Sequence, residues 1–389
     1  MPLPIYMDHN ATTPVDPRVK EAMEPFLAAQ FGNPSSVSHA YGWQAQIAVR
    51  KAREQVAALV GCEPHDVYWT SGATESNNLA ILGLVRFFKG ERPHIITQAT
   101  EHKAVLEVSE AAAELFGAEV TVLPVDNDGV IRLEDLERAI TPRTVLVSIM
   151  SANNEIGALQ PVREIAEICR ARKIVFHTDA AQSLGKCGVT LKDTSIDMLS
   201  LSGHKIYGPK GVGALIVSPK NRDFELKPIQ FGGDQEKKLR PGTLNMPGIV
   251  GLGMACEVIR TAMGDECERL CRFQGQIIAE VVGRFGSAVK LNGPREHRLC
   301  NNISFSFRGL NPDDMILDLA GVAFSSGSAC NSANPKPSHV LKAIGLDDQL
   351  AAATVRLGLG RFTTPAEVRT VTDKLLKMLE KTLGKGVHP

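Results

Sequence analysis

The chain has 389 residues, 43 basic and 43 acidic side chains, a formal net charge of zero and 43% hydrophobic residues. At roughly 150 residues per domain, that length is enough for a large core and a smaller companion, with no need of metal or disulfide staples. The charge balance excludes a surface built as a whole for nucleic acid or anionic membrane, and no apolar run approaches the roughly 18 residues a membrane span needs.

The N-terminal stretch Met1-Pro2-Leu3-Pro4-Ile5-Tyr6-Met7-Asp8-His9 has no basic region and no apolar block. It reads as neither a signal nor a transit peptide, so a cytoplasmic protein is expected. Asp16-Pro17 opens a short helix carrying Val19, Met23 and Leu27. Residues 41–60 form a long amphipathic helix closed by Gly61. Short β-prone runs follow at 67–70, 94–97, 120–123, 144–150, 173–178, 197–201 and 212–217, and helical patterns at 75–88, 102–116, 133–140 and 162–171 separate most of them. Such alternation predicts an α/β fold, a mostly parallel central sheet with helices on both faces.

After residue 257 the pattern changes. A helix at 257–284, strands near 288–291, 301–307 and 353–359, and helices at 311–319, 339–344 and 365–383 predict a smaller α+β domain. The expected division is 15–257 for the large domain, with 1–14 and 258–389 forming the small one.

In parallel α/β sheets, ligands sit at the carboxyl ends of the strands. The first strand runs into Ser71-Gly72-Ala73-Thr74-Glu75-Ser76-Asn77-Asn78, small residues and hydroxyls opening a helix, which makes an anion cradle. It is not a P-loop, because no Gly-Lys-Ser/Thr follows. Later strands end in Glu101-His102, Asn153-Asn154-Glu155, Asp179-Ala180-Ala181-Gln182 and Ser202-Gly203-His204-Lys205. Burial in such a turn lowers a lysine's pKa, as a Schiff-base amine requires. A lysine, a carboxylate, an imidazole and a phosphate cradle on one rim are the parts that pyridoxal phosphate needs. A dinucleotide site has no use for the lysine, and a metal site would show closer, repeated ligand spacing.

These segments, together with Phe31-Gly32-Asn33-Pro34-Ser35-Ser36, Arg240-Pro241-Gly242-Thr243 and Ser325-Ser326-Gly327-Ser328-Ala329-Cys330, resemble the NifS/IscS-type cysteine desulfurases of the class V aminotransferase family. The likeness runs in order from the first residues to about Thr364. It implies a fold-type I pyridoxal-phosphate transferase, a homodimer that moves sulfur from L-cysteine to a cysteine persulfide and leaves L-alanine.

Carried over by position, Lys205 would hold the cofactor covalently and later move the Cα proton. Asp179 would pair with the pyridine nitrogen, Gln182 with the phenolate oxygen, and His102 would stack on the ring as acid/base. Ala73, Thr74, Ser202 and His204 would hold the phosphate, with Thr243 reaching in from the partner subunit. Asn153 and Arg356 would orient the substrate. Of the eight cysteines (62, 169, 187, 256, 267, 271, 300 and 330), none forms a C-x-x-C pair, and seven read as small packing residues. The exception, Cys330, would sit on a Gly/Ser-rich loop spanning about 323–337. There it would carry the persulfide to an acceptor such as an iron–sulfur scaffold, and act as a transient iron–sulfur ligand.

Iron–sulfur assembly, tRNA thiolation and nucleic-acid sulfur modification all remain open as destinations, with no direct nucleic-acid contact expected. Two departures stand out. Gly358 replaces a Ser common in relatives, which predicts looser packing behind Arg356, and Asn331-Ser332 follows the cysteine in place of Thr-Ser. The alternatives are a selenocysteine lyase or another class V enzyme, which would not need Cys330, and a non-catalytic scaffold, which would bind no cofactor.

Overall fold

A computed structural model describes residues 3–88, 90, 92–221, 223–326 and 337–384. The elements in chain order begin with β1 (Ile5–Tyr6), α1 (Pro17–Met23), α2 (Ala40–Val60), β2 (Val67–Thr70), α3 (Ala73–Phe87), β3 (His94–Gln98), α4 (Lys103–Phe116) and β4 (Glu119–Leu123). Next come α5 (Leu133–Ala139), β5 (Thr144–Ser148), α6 (Val162–Arg172), β6 (Val175–Asp179), β7 (Met198–Ser202), β8 (Gly213–Val217) and α7 (Met246–Phe285). The chain closes with β9 (Val289–Leu291), β10 (Asn302–Phe307), α8 (Pro312–Asp318), β11 (Val322–Ala323), β12 (Ser325–Ser326), α9 (His339–Ala343), α10 (Asp348–Ala352), β13 (Thr354–Gly358) and α11 (Pro365–Leu383).

The large sheet has seven strands in the order β2-β8-β7-β6-β5-β3-β4. Only β8 is reversed, pairing antiparallel with both neighbours, so the carboxyl ends of β2, β7, β6, β5 and β3 share one edge. Alternation along the strands feeds two cores. Ile96, Val147, Phe176, Leu199 and Ile216 face α2, α6 and the first half of α7. Their neighbours Ile95, Leu146, Val175, Met198 and Leu215 face α3 and α4. Each fully buried Ile or Leu contributes about 1.5–3 kcal/mol. This is the predicted fold-type I α/β architecture.

A second, antiparallel sheet, β12-β13-β10-β9, packs on the second half of α7 and on α11. The N-terminal β1 pairs in parallel with β11. No helix among the described residues is long and apolar enough to cross a membrane.

The boundaries differ from expectation in informative places. The helix expected to start at 257 begins at Met246, with Pro247 in its first turn and the Asn245 side chain accepting from Gly248 N. Gly248, Gly251 and Gly253 hide it in the sequence, since glycine is a poor helix former. One of them is required by close approach: a Cβ on Gly253 would lie 2.6 Å from Ala52 Cα. The strand expected from 173 starts at Val175, because Lys173 closes α6 with a φ of 55°.

Gly358 overturns the expected looseness. Its backbone exchanges hydrogen bonds with Met7 O at 2.7 Å and His9 N at 3.1 Å. A Cβ there would lie 2.6 Å from Asn10 Oδ1 and 2.7 Å from Asn10 N. Tight packing, not slack, lies behind Arg356. Gly358→Ser is therefore expected to lower unfolding stability by about 1–3 kcal/mol through overpacking, read as a lower urea midpoint at unchanged m-value.

Candidate active site

At the shared strand edge lies a cavity of about 610 Å³. Its walls include Ala73, Thr74, His102, Asp179, Gln182, Ser202, His204, Lys205 and Arg356, nine of the residues singled out in the sequence. Cys330 lies outside the described residues. Thr243 is exposed and does not line the cavity within one chain.

The cradle forms where β2 ends and α3 begins. Gly72 caps the helix with a φ of 153°, open to glycine and to few other residues. It meets Gly213 of β8, where a Cβ would lie 2.6 Å from Gly72 Cα. Two strands and a helix start thus converge without side chains between them, leaving free N–H groups and the positive end of the helix dipole toward the cavity. Glu75 braces the turn, accepting from Ser71 N at 2.6 Å and from Arg240 Nε at 2.7 Å. Burial alone would push the Glu75 carboxyl up, but the Arg240 and Ser71 hydrogen bonds outweigh it and hold it below the usual range.

Asp179 ends β6 and is buried. One carboxylate oxygen accepts from Ala181 N at 2.9 Å and the other from Asn77 Nδ2 at 2.7 Å. Each keeps a lone pair for a further donor. Asn77 Oδ1 is itself buried without a partner among the described residues.

His102 caps α4, its Nδ1 accepting from Ala104 N at 3.1 Å. The neutral ring therefore carries its proton on Nε2, an assignment drawn from that bond. The ring is open to the cavity, yet the surrounding protein desolvates it and, with Lys205 and His339, draws its pKa below the ordinary value despite Asp179. Behind it, buried Glu101 is pushed up to about 8 by desolvation, so its carboxyl is largely protonated at neutral pH. It accepts from Met150 N at 2.5 Å.

Lys205 follows β7. Its Nζ donates to the carbonyls of Asn10 and Ala11, both at 2.7 Å. Desolvation, then the positive charges of Lys186 and Arg356, lower its pKa to about 7. His204 is held at about 4 by burial, Lys205 and Lys210, so it is a neutral hydrogen-bonding ring, its Nδ1 3.1 Å from Thr12 Oγ1.

Arg356 Nη2 donates to Asp8 Oδ1 at 2.7 Å and to Ser325 Oγ at 2.6 Å, and Nη1 to Asn154 O at 3.3 Å. Its buried Nε has no partner among the described residues. Arg356 lies half-buried on the cavity wall, and its Nη1 has a second N–H beyond the one given to Asn154 O, an arrangement that suits a carboxylate.

Asn153, expected to touch ligand, is fully buried and does not line the cavity. Its Oδ1 accepts from Glu155 N and Ile156 N, and its Nδ2 donates to Thr100 O. Its amide closes the turn that brings its neighbour Asn154 to the cavity wall. The sequence alone assigns no role to Asn10, Asn77 or Asn154: the Asn pairs 77–78 and 153–154 sit inside the strand-end motifs, and Asn10 carries no local signal.

The sequence matches the family described as aminotransferase class-V over residues 5–371. It is 47% identical over 378 residues to a cysteine desulfurase of Homo sapiens, covering 97% of this chain and 82% of that protein. The chain belongs to the cysteine desulfurase branch of the class V aminotransferases. Among solved structures, a NifS-like protein superposes with a TM-score of 0.89 at 34% identity, over 97% of this chain and 100% of that one. A structure of SspA in complex with cysteine gives 0.80 at 39% identity, over 92% and 100%. The reaction class is therefore pyridoxal-phosphate-dependent cysteine desulfuration on a fold-type I scaffold.

The site fits that cofactor: a phosphate cradle, a buried carboxylate with spare acceptor capacity, and an amine with its pKa near 7. Capture of pyridoxal phosphate by cofactor-free protein should accelerate as pH rises through 7 and level off above it, because only the neutral amine attacks an aldehyde. Stopped-flow absorbance of the bound chromophore reads this directly; an inflection near the ordinary lysine value of about 10.4 would show an unperturbed amine.

Proposed function

We propose that this desulfurase takes sulfur from L-cysteine, leaves L-alanine, and carries the sulfur as a persulfide on Cys330 to an acceptor protein such as an iron–sulfur scaffold. It would do so as a cytoplasmic homodimer. The single observation that carries the reading is the Arg356 guanidinium on the wall of the same cavity as the Lys205 amine. An α-amino acid would offer its carboxylate to Arg356 and its amine to the cofactor aldehyde that Lys205 would hold.

Pyridoxal phosphate, when bound, supplies the electron sink that labilises bonds to Cα. Ala73, Thr74, Ser202 and neutral His204 would hold its phosphate, joined by Thr243 of a second copy. Asp179, fixed by Asn77, would keep the ring nitrogen protonated, and Gln182 would donate to the phenolate oxygen. Lys205 would take the Cα proton on Nζ. His102 would exchange a proton at Nε2 with the substrate thiol, since its lowered pKa makes it a base at neutral pH. Arg356 would grip the carboxylate, with Asn153 setting the Asn154 turn.

The Cys330 thiolate would then attack the substrate sulfur. An S–S bond forms and the Cβ–S bond breaks, its electron pair staying with the carbon skeleton, which takes up protons to become L-alanine. The same reading divides the chain into a cofactor-binding unit, 15–257, and a smaller unit of 1–14 and 258–389 that carries the nucleophile.

Cys330→Ala should keep the cofactor colour and lose sulfur transfer to an acceptor in the absence of added thiol. Retained transfer would point instead to a lyase that releases its chalcogen directly. Arg356→Lys should raise KM for cysteine about 10- to 100-fold, the loss of a charge-assisted bond or two. An unchanged KM would remove Arg356 from the substrate site.

A further inference from the structure

Beside Lys186, whose Nζ reaches the Lys205 carbonyl, lies a group of sulfurs outside the proposed chemistry. Cys267 on α7 and Cys300 before β10 both donate to one acceptor, the carbonyl of Lys186, at 3.3 Å and 3.9 Å. One oxygen thus holds both sulfurs beside each other. Cys271 lies one helical turn beyond Cys267 on α7.

Exposure is graded across the group: Cys271 is exposed, Cys267 half-buried and Cys300 buried. A small oxidant can therefore reach Cys267 while its partner waits in the interior. No group of three or more His, Cys, Asp or Glu among the described residues is placed to hold a metal ion, which leaves the chemistry of the thiols themselves. The pair is also electrostatically uneven. The neighbouring Cys300 thiol draws the Cys267 thiol below its ordinary pKa, and the Cys267 thiol together with burial raises Cys300. A nucleophile beside a resolving thiol has this asymmetry.

We propose that Cys267 and Cys300 form an oxidation site that a hydroperoxide converts to a disulfide. The Cys267 thiolate attacks the peroxide, its S–O bond forming as the O–O bond breaks, and with hydrogen peroxide the leaving oxygen departs as water after taking a proton. Cys300 then attacks the sulfenic sulfur, the S–S bond forms, and the second oxygen leaves as water. Two thiols and one peroxide become one disulfide and two waters, the thiols oxidised by two electrons and the peroxide reduced by two. The site adjoins the active centre, because the Lys186 Nζ donates to Gln182 O at 3.3 Å and Lys205 O at 3.4 Å.

The test uses the cofactor-loaded Cys330→Ser protein, which removes the sulfur carrier from the readout, treated with one equivalent of hydrogen peroxide. Intact-mass spectrometry should show the loss of two hydrogen atoms, reversed by reductant, and non-reducing peptide mapping should link Cys267 to Cys300. In Cys300→Ser, Cys267 should instead be trapped by a sulfenic-acid probe. Peptides of Cys267 and Cys300 recovered unlinked, or a link from Cys300 to Cys271, would overturn the assignment. Should Cys300→Ser fail to fold, the peptide map of the parent decides alone.

Discussion

The site depends on one short strap of backbone, residues 8–12, clamped between the two sheets. Asp8 holds Arg356, Gly358 holds His9, Asn10 exchanges side-chain and backbone hydrogen bonds with Gln182, and Thr12 meets His204. The carbonyls of Asn10 and Ala11 take the two hydrogen bonds of the Lys205 amine. Lys205 follows a strand of the large sheet and Arg356 lies on a strand of the small one, and this strap fixes their separation. Its seat is narrow because the small sheet presents Gly358 and Gly360, where a Cβ would fall 2.6 Å from Asn10 Oδ1 and 2.2 Å from the His9 ring.

Desolvation is the second constraint, and it acts on groups of both signs. The same low-dielectric edge that brings Lys205 to about 7 brings Glu101 to about 8 and His204 to about 4. Each shift disfavours the charged form. The charges that remain on this edge are largely fixed: Asp179, Glu75 and Arg356 are each held by hydrogen bonds. Charge arriving with a phosphate and an amino acid then meets aligned dipoles and fixed partners rather than competing ions.

Much of this was legible in the sequence, for physical reasons. Strands buried on both faces, such as Thr144–Ser148, are continuous apolar runs, and their ends announce themselves by a sudden change to polar residues. Hence Asp179, Lys205 and the Ser71–Asn78 cradle could be found without coordinates. What escaped were relations across the chain. Asn10 meets Gln182 across 172 residues and carries no local pattern. Asn153 and Asn154 are alike in type, and only the turn decides which one faces inward. Gly358 looked like a loosened site because a missing side chain in a sequence reads as space, whereas in the fold that space is filled by another segment's backbone. The start of α7 was hidden because its glycines answer to neighbours rather than to helix propensity.

That helix runs unbroken for 40 residues, about 60 Å at 1.5 Å per residue. Its first half lies in the core of the large sheet and its second half in that of the small one. Two bodies joined by loops can swing about a hinge, but two bodies sharing a rod cannot do so without breaking the rod's own hydrogen bonds. Any swing of one sheet against the other would have to bend α7, so this one rod sets the stiffness with which the two halves of the site are held in register.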